Sequence, residues 1–551
     1  MPVINFKYSD LCALMGREVP QEILIEKIPL IGADMHQTEG FSEEMSVEFF
    51  PDRPDLFSVE GLARALRAFL DIEPGLKRYT VEDSDIAAAI EDPVLNVRPY
   101  FACAVIRDIC VTDDLIRSLM ELQEKLHMTI GRKRSKIAIG VHDLDKVEPP
   151  FRYTAVRPEE ASFVPLNRTE RMDLREILRS HDKGKEYAHL LEGKERYPII
   201  FDKNNDVLSF PPIINGALTT VTTDTKNIFI DVTGNDQKAV KGALDIVATA
   251  LAERGGRICS VKMEKGGSGR SPDLRELKIK ISVKECCRFL GIDLSEDGVK
   301  EAVERMGMSV SFSGDEAVVS APSTRLDMMH KVDIFEDVAV GYGFERFGGT
   351  YLSQQTSGEL GPVTSFSDKM RDVMVGLGFT EVTTLTLSNQ KDEFERSGLP
   401  VKTSTCVTNP ITEDHTCLRS YLMPSLMRIL RHNKHRDLPQ RIFEIGFVSD
   451  EHRTTPHICG MVAASKTSFT EIKSIAESVA REMGIEYKIS SCGYRTFVEG
   501  RGAFISSDGR ETGFFGEVSP KVIADYEMTH PVMFFEMDPS RIIDEKAGRL
   551  F

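Results

Sequence analysis

Four carboxylates crowd the run STRLDMMHKVDIFEDVAVGYGF, residues 323–344: Asp327, Asp333, Glu336 and Asp337. A helix over 333–343 puts the last three at i, i+3 and i+4 on one face, with Ile334, Phe335, Val338 and Tyr342 populating the other side. Like charges so placed repel. A hard cation such as Mg²⁺, which prefers carboxylate oxygens, or arginines from another chain would lift that cost. A solvated helix face accounts for the same residues without any ligand.

A second group comes from two runs, LSFPPIINGALTT (208–220) and TKNIFIDVTGND (225–236). Pro211 and Pro212 stiffen the approach to Asn215, and the two-residue period of a strand sends Asp231 and Thr233 to one side. A carboxylate, a hydroxyl and an amide around one pocket can orient a water against an ester. Strand-end Asp and Thr are also common caps and turn residues. Cations cluster in GRKRSK (131–136) and RHNKHRDLPQR (431–441), where they either meet phosphate or form solvated basic loops. The chain has no Walker loop, no GxGxxG after a strand and no GxSxG elbow, so nucleophilic catalysis by Ser, Cys or His has no support.

These groups must be held by several domains, because 551 residues exceed what one hydrophobic core supports. Ser58 is the expected cap of a helix carrying Leu62, Leu66 and Leu70, and Thr112 of one lined by Leu115, Leu119, Leu122 and Leu126. KIAIGV and NIFIDV read as strands. Residues 276–346 read as strand, helix, turn, helix and a hairpin turning at Ser313-Gly314-Asp315, the order of a winged helix-turn-helix. That segment carries nine Lys and Arg against fourteen Asp and Glu, which favours a protein contact over DNA. Phe366, Met370, Val373, Met374 and Leu377 stripe a helix ending at Gly378, with EVTTLTLS as the following strand. Breaks are expected in the Gly/Ser joint 265–271 and in the glycine-interrupted stretch 347–364, with a softer one near 75–95.

The net charge of −17 excludes a surface given over to nucleic acid. No signal-like N-terminus and no apolar run of membrane length stands out, and ten scattered cysteines without a CxxC pair read as reduced thiols. A soluble cytoplasmic protein with no membrane partner is the expectation.

RPYFACAVIRDI (98–109), KLHMTIGRKRSKIAIGVHDLDKVEPPF (125–151), LSFPPIIN (208–215) and IFIDVTGND (228–236) resemble the editing region of the archaeal and eukaryotic phenylalanyl-tRNA synthetase beta subunit. RPDLFSVEGLAR, the acidic run 323–344 and RIFEIGFV resemble its other modules in the same order. The resemblance implies a multidomain α+β protein. It comprises an N-terminal module (1–85), a mixed α/β editing domain (86–264), a helix-turn-helix-like domain (271–346) and an antiparallel class II synthetase-like module (354–551). It further implies an alpha-subunit partner in an (αβ)₂ heterotetramer, the phenylalanine tRNA, and ATP as a substrate of the complex. Asp327, Asp333, Glu336 and Asp337 would be Mg²⁺ ligands, and Ser209, Asn215, Asp231 and Thr233 would furnish the editing pocket that hydrolyses mischarged tyrosyl-tRNA. One departure counts. Active class II enzymes place an arginine two residues before a glutamate and follow with GxGxxR, whereas this chain has Arg441-Ile-Phe-Glu444 and no GxGxxR. The last module is therefore expected not to form an adenylate. A stand-alone hydrolase and a regulatory nucleic-acid-binding protein are the competing readings.

Overall fold

The computed structural model describes residues 2–36, 41–264, 269–351, 356–450, 453–540 and 542–543. Residues 265–268 of the expected Gly/Ser joint and 352–355 of the second break lie outside the described residues. The chain is a mixed α+β protein of two compact units, Met1–Tyr351 and Leu352–Phe551.

The first unit is built around two sheets facing each other. In one, strand Ile228–Gly234 lies between Tyr100–Arg107 and Ile137–Asp143, antiparallel to both. Its two faces do different work. Ile228, Ile230 and Val232 pack with the helices Asp113–Met128 and Gln237–Glu253, while Phe229 packs toward the second sheet with Phe151 and Leu208. By the two-residue period Asp231 and Thr233 share the Phe229 side, so both polar residues are carried into the space between the sheets. The second sheet has seven strands and runs from its edge Ile214–Asn215 through Val207–Phe210, Tyr197–Phe201 and Phe151–Val156.

The two expected caps are present. Ser58 Oγ accepts the Gly61 N–H at 3.2 Å, and Thr112 Oγ1 accepts that of Leu115 at 3.2 Å. The leucine stripe 115–119–122–126 is buried. One core runs from Ile4 to Ile258 and takes in helix Val59–Phe69, so it crosses the soft boundary near 75–95, while a second core runs from Ile86 to Met263. Residues 277–342 follow the expected order. A three-stranded sheet (Leu277–Ser282, Glu316–Ala321, Ser309–Ser313) packs with helices Val283–Leu290 and Glu296–Arg305, and the hairpin turns through Gly314 at φ +63°. Helix Lys331–Tyr342 closes this core with Ile334, Phe335 and Val338.

In the second unit, helix Pro362–Gly376 buries Phe366, Met370 and Met374 and ends where Gly378 turns back at φ +80°. EVTTLTLS is not one strand. Only Thr380–Glu381 and Leu387–Ser388 pair, because Thr384 turns aside to hydrogen-bond Glu444 through both its backbone N–H and its hydroxyl. The main sheet has seven strands, antiparallel apart from the Thr380–Glu381 edge.

Candidate active site

A cavity of about 540 Å³ opens beside helix Asp113–Met128, strand Ile137–Asp143 and the segment 209–221. Ser209, Asn215 and Asp231 all line it, so three of the four expected editing residues meet at one place. Thr233 sits apart from that lining. Its hydroxyl accepts from Arg98 Nε at 3.0 Å and its carbonyl from Arg98 Nη2 at 2.9 Å. Arg98 is buried, and loss of water lowers its pKa to about 10.

Asp231 pairs across the ladder with Gly140. That glycine is needed there, because a Cβ would overlap Asp231 Oδ2 and stand 2.7 Å from His142 Nε2. The space it leaves lets His142, two residues on and on the same side of its strand, reach Asp231 Oδ2 at 2.7 Å. His142 Nδ1 lies 2.7 Å from Thr219 Oγ1. Solvent exposure is 2 % for Asp231, 0 % for His142 and 1 % for Thr219. Neither His142 nor Thr219 stands out in the sequence; the signal is the Gly140–Asp231 register, which has no local trace.

His127 lines the same cavity. Its Nε2 accepts the Ile139 N–H at 2.8 Å, so Nδ1 carries the proton, and burial pushes the ring's pKa down to about 4. Glu124 Oε2, 3.6 Å from Nδ1, is beyond hydrogen-bond range. The GRKRSK loop forms part of the rim. Arg134 donates to the Ile213 carbonyl at 2.9 Å and lies 4.6 Å over the Tyr187 ring. Arg132, Lys133 and Arg134 all adopt left-handed backbone, φ 45°, 53° and 63°, and the first two side chains are exposed. Such conformations cost on the order of 1–3 kcal/mol each and persist where neighbours impose them. The other basic run, 431–441, closes helix Met423–His432 and enters strand Gln440–Asp450 in the second unit.

The acidic group is arranged differently from the expectation. Asp337 is buried and Arg325 Nη2 meets it at 2.8 Å, while Arg325 also grips Asp327 through Nε (3.0 Å) and Nη2 (2.7 Å). Burial keeps the Asp337 carboxyl above its ordinary range despite this arginine. Asp333 caps its helix, accepting the N–H groups of Met329 (2.7 Å) and His330 (2.6 Å), and Glu336 is exposed. Among the described residues no three or more His, Cys, Asp or Glu converge to hold a metal ion. The counter-charge for Asp327 and Asp337 is a guanidinium of this same chain, and as it stands the cluster does not fit Mg²⁺.

Residues 350–539 match the family model of the phenylalanyl tRNA synthetase beta chain CLM domain, 279–344 the tRNA synthetase B5 domain and 112–256 the B3/4 domain. By these matches the chain falls in the tRNA-synthetase class. The phenylalanine-tRNA ligase beta subunit of Methanosarcina acetivorans is 42% identical over 551 residues, covering 99% of this chain and 100% of its own. That of Archaeoglobus fulgidus is 42% identical, covering 99% of each. A crystal structure of an N-terminal fragment of the phenylalanyl-tRNA synthetase beta-subunit from Pyrococcus horikoshii matches with a TM-score of 0.60 and 37% identity. It covers 62% of this chain and 100% of the fragment. The chain belongs to the phenylalanine-tRNA ligase beta subunit family.

Proposed function

We propose that this chain joins an alpha subunit in an (αβ)₂ heterotetramer that attaches phenylalanine to its tRNA with ATP, and that it hydrolyses tyrosine wrongly esterified to that tRNA. The observation that carries the hydrolytic half is the convergence of Ser209, Asn215 and Asp231 on one cavity with an Asp231–His142 pair in its wall. On this reading 86–264 is the editing domain and Thr233 acts from behind the cavity by fixing Arg98. The test uses the assembled enzyme carrying Asp231→Ala and preformed tyrosyl-tRNA. Accumulating tyrosyl-tRNA with normal phenylalanine charging supports the assignment, and undiminished deacylation refutes it.

Synthesis belongs to the alpha subunit. Arg441 and Glu444 are three apart on a strand and so face opposite sides, where Arg441 pairs with Glu471 at 2.8 Å and Glu444 with Arg419 at 2.9 Å. An arginine and glutamate turned apart cannot share one ATP. The class II-like module 354–551 then serves as a partner surface, and the helix-turn-helix-like 271–346 as an acidic contact module. The purified chain alone should show no phenylalanine-dependent pyrophosphate exchange. Among the described residues no helix is long and apolar enough to cross a membrane, and the ten cysteines are free thiols, which supports a cytoplasmic assignment.

Asp327, Asp333, Glu336 and Asp337 would hold Mg²⁺ in only one arrangement of the chain. Their oxygens suit Mg²⁺, but only once Arg325 has left Asp327 and Asp337. Calorimetric titration of the isolated chain with Mg²⁺ should give no binding at this cluster, and Arg325→Gln should create it. Tight binding by the unaltered chain that Asp333→Asn/Asp337→Asn abolishes would refute the blocking role of Arg325.

A further inference from the structure

Asp231, His142 and Thr219 form one hydrogen-bonded line with both links at 2.7 Å. Only its two ends reach the cavity: Asp231 and Thr219 line it, and His142 joins them out of contact with solvent. With Asp231 as a carboxylate, which only accepts, His142 Nε2 carries a proton and donates it. A neutral ring then has a lone pair on Nδ1, and the Thr219 hydroxyl donates to it. The other acceptor near that hydroxyl, the Gly216 carbonyl, is 3.4 Å away. Thr219 Oγ1 is left with lone pairs free to accept from a donor in the cavity.

Packing alone gives no reason for such a line. Buried polar arrays are often matched or bettered in stability by apolar residues of the same volume, and this one requires a glycine at 140 in mid-strand. Resting on the proposed hydrolysis of the tyrosyl ester, we infer that His142 takes up a proton from the attacking water through the Thr219 hydroxyl. The water oxygen bonds to the ester carbonyl carbon, its proton passes to Thr219 Oγ1, and the proton of Thr219 passes to His142 Nδ1. Asp231 holds the imidazolium so formed. When the tetrahedral intermediate collapses, the bond from carbon to the ribose oxygen breaks, and the proton returns through Thr219 to that oxygen. Tyrosine and tRNA leave with the line restored. His142 acts through Thr219 and is a positioning residue and proton store; Thr219 is the group that meets the water.

The test measures single-turnover and steady-state deacylation of preformed tyrosyl-tRNA by the assembled enzyme carrying His142→Asn, Thr219→Val or Thr219→Ser. Thr219→Val keeps the shape and removes the hydroxyl; Thr219→Ser keeps the hydroxyl. The relay predicts that His142→Asn and Thr219→Val each lower kcat by about 10²–10⁴ with KM little changed, and that Thr219→Ser stays within a few fold of wild type. A role in packing alone predicts instead that Ser, which loses the methyl, falls at least as far as Val. That outcome, or a His142→Asn enzyme with wild-type kcat, overturns the relay. If Asp231→Ala abolishes deacylation while both Thr219→Val and His142→Asn retain it, the relay alone fails. A wild-type enzyme that leaves tyrosyl-tRNA intact overturns the hydrolytic reading and the relay with it.

Discussion

Replacing Gly140 with alanine adds one methyl group at the point where the Asp231–His142 pair has no room. The new Cβ would overlap Asp231 Oδ2 and come within 2.7 Å of His142 Nε2. Both neighbours are fixed, since Asp231 lies mid-strand between two partners and His142 is tied at its other nitrogen to Thr219. Overpacking of this kind costs about 1–3 kcal/mol. Losing a hydrogen bond to a charged group adds about 1.5–3 kcal/mol. A penalty of about 3–5 kcal/mol is therefore expected, a large part of the roughly 5–15 kcal/mol that holds a domain folded. Urea denaturation of the full chain, followed by a probe in the first unit, measures it. Gly140→Ala in an Asp231→Ala background separates the causes, because there the methyl meets the space that the carboxylate vacated. The penalty should fall by about 2 kcal/mol or more in that background. A Gly140→Ala cost under about 1 kcal/mol, or the same cost in both backgrounds, would show that the close approach is not what demands glycine.

Other perturbations test separate parts of the molecule. His127, held neutral with a pKa near 4 against an unfolded value of 6.5, contributes stability that is complete above pH 6.5 and lost as pH falls toward 4. His127→Gln should therefore close a gap of about 3 kcal/mol with wild type across that window, and a pH-independent difference refutes the neutral ring. Arg419 and Glu444 are a buried pair at 2.9 Å, so Arg419→Met should destabilise the second unit by about 3–5 kcal/mol in denaturant, and Arg419→Met/Glu444→Leu should recover most of it. Arg132→Ala/Lys133→Ala should lower the slope of log affinity for tRNA against log salt by about 1.4, two contacts at roughly 0.7 each for a single-stranded end. An unchanged slope in filter binding would make that rim a solvated loop.

Elements governed by local chemistry were readable from the residues alone. The Ser58 and Thr112 caps, the leucine stripe of 115–126, the 313–315 turn and the stop at Gly378 depend on neighbours a few positions away. EVTTLTLS misled because its alternation is good strand pattern, while Thr384 is claimed by a glutamate sixty residues on. Asp333, Glu336 and Asp337 do lie on a helix, yet the electrostatics of the acidic run turn on Arg325, a counter-charge that helical spacing from Asp333 onward does not bring in. Of the residues that line the cavity, Asp231 is legible from its strand period and Asn215 from the prolines before it. His142 and Thr219 have no local signal, because His142 reaches Asp231 across 89 residues and Thr219 across 77, and both links depend on the register that sets Gly140 opposite Asp231.

On the proposed reading, Ser209 gives the cavity a reason to prefer a phenol. Its side chain is 2 % exposed, and its hydroxyl has no hydrogen-bond partner among the described residues. An unpaired buried hydroxyl costs about 1–3 kcal/mol, a cost that persists when an apolar ring fills the space and disappears when a ligand hydroxyl reaches it. On the proposed reading a tyrosyl ester relieves that cost and a phenylalanyl ester seals it in. At 1.4 kcal/mol per tenfold, one such group separates the two by about 5- to 150-fold. A synthetic site lined with apolar groups rejects an added hydroxyl by only about 10², so the two selections multiply in opposite directions. The proposed hydrolytic site then needs no perfect discrimination: a modest preference for the hydroxylated ring, applied after charging, would remove the error and spare the correct product.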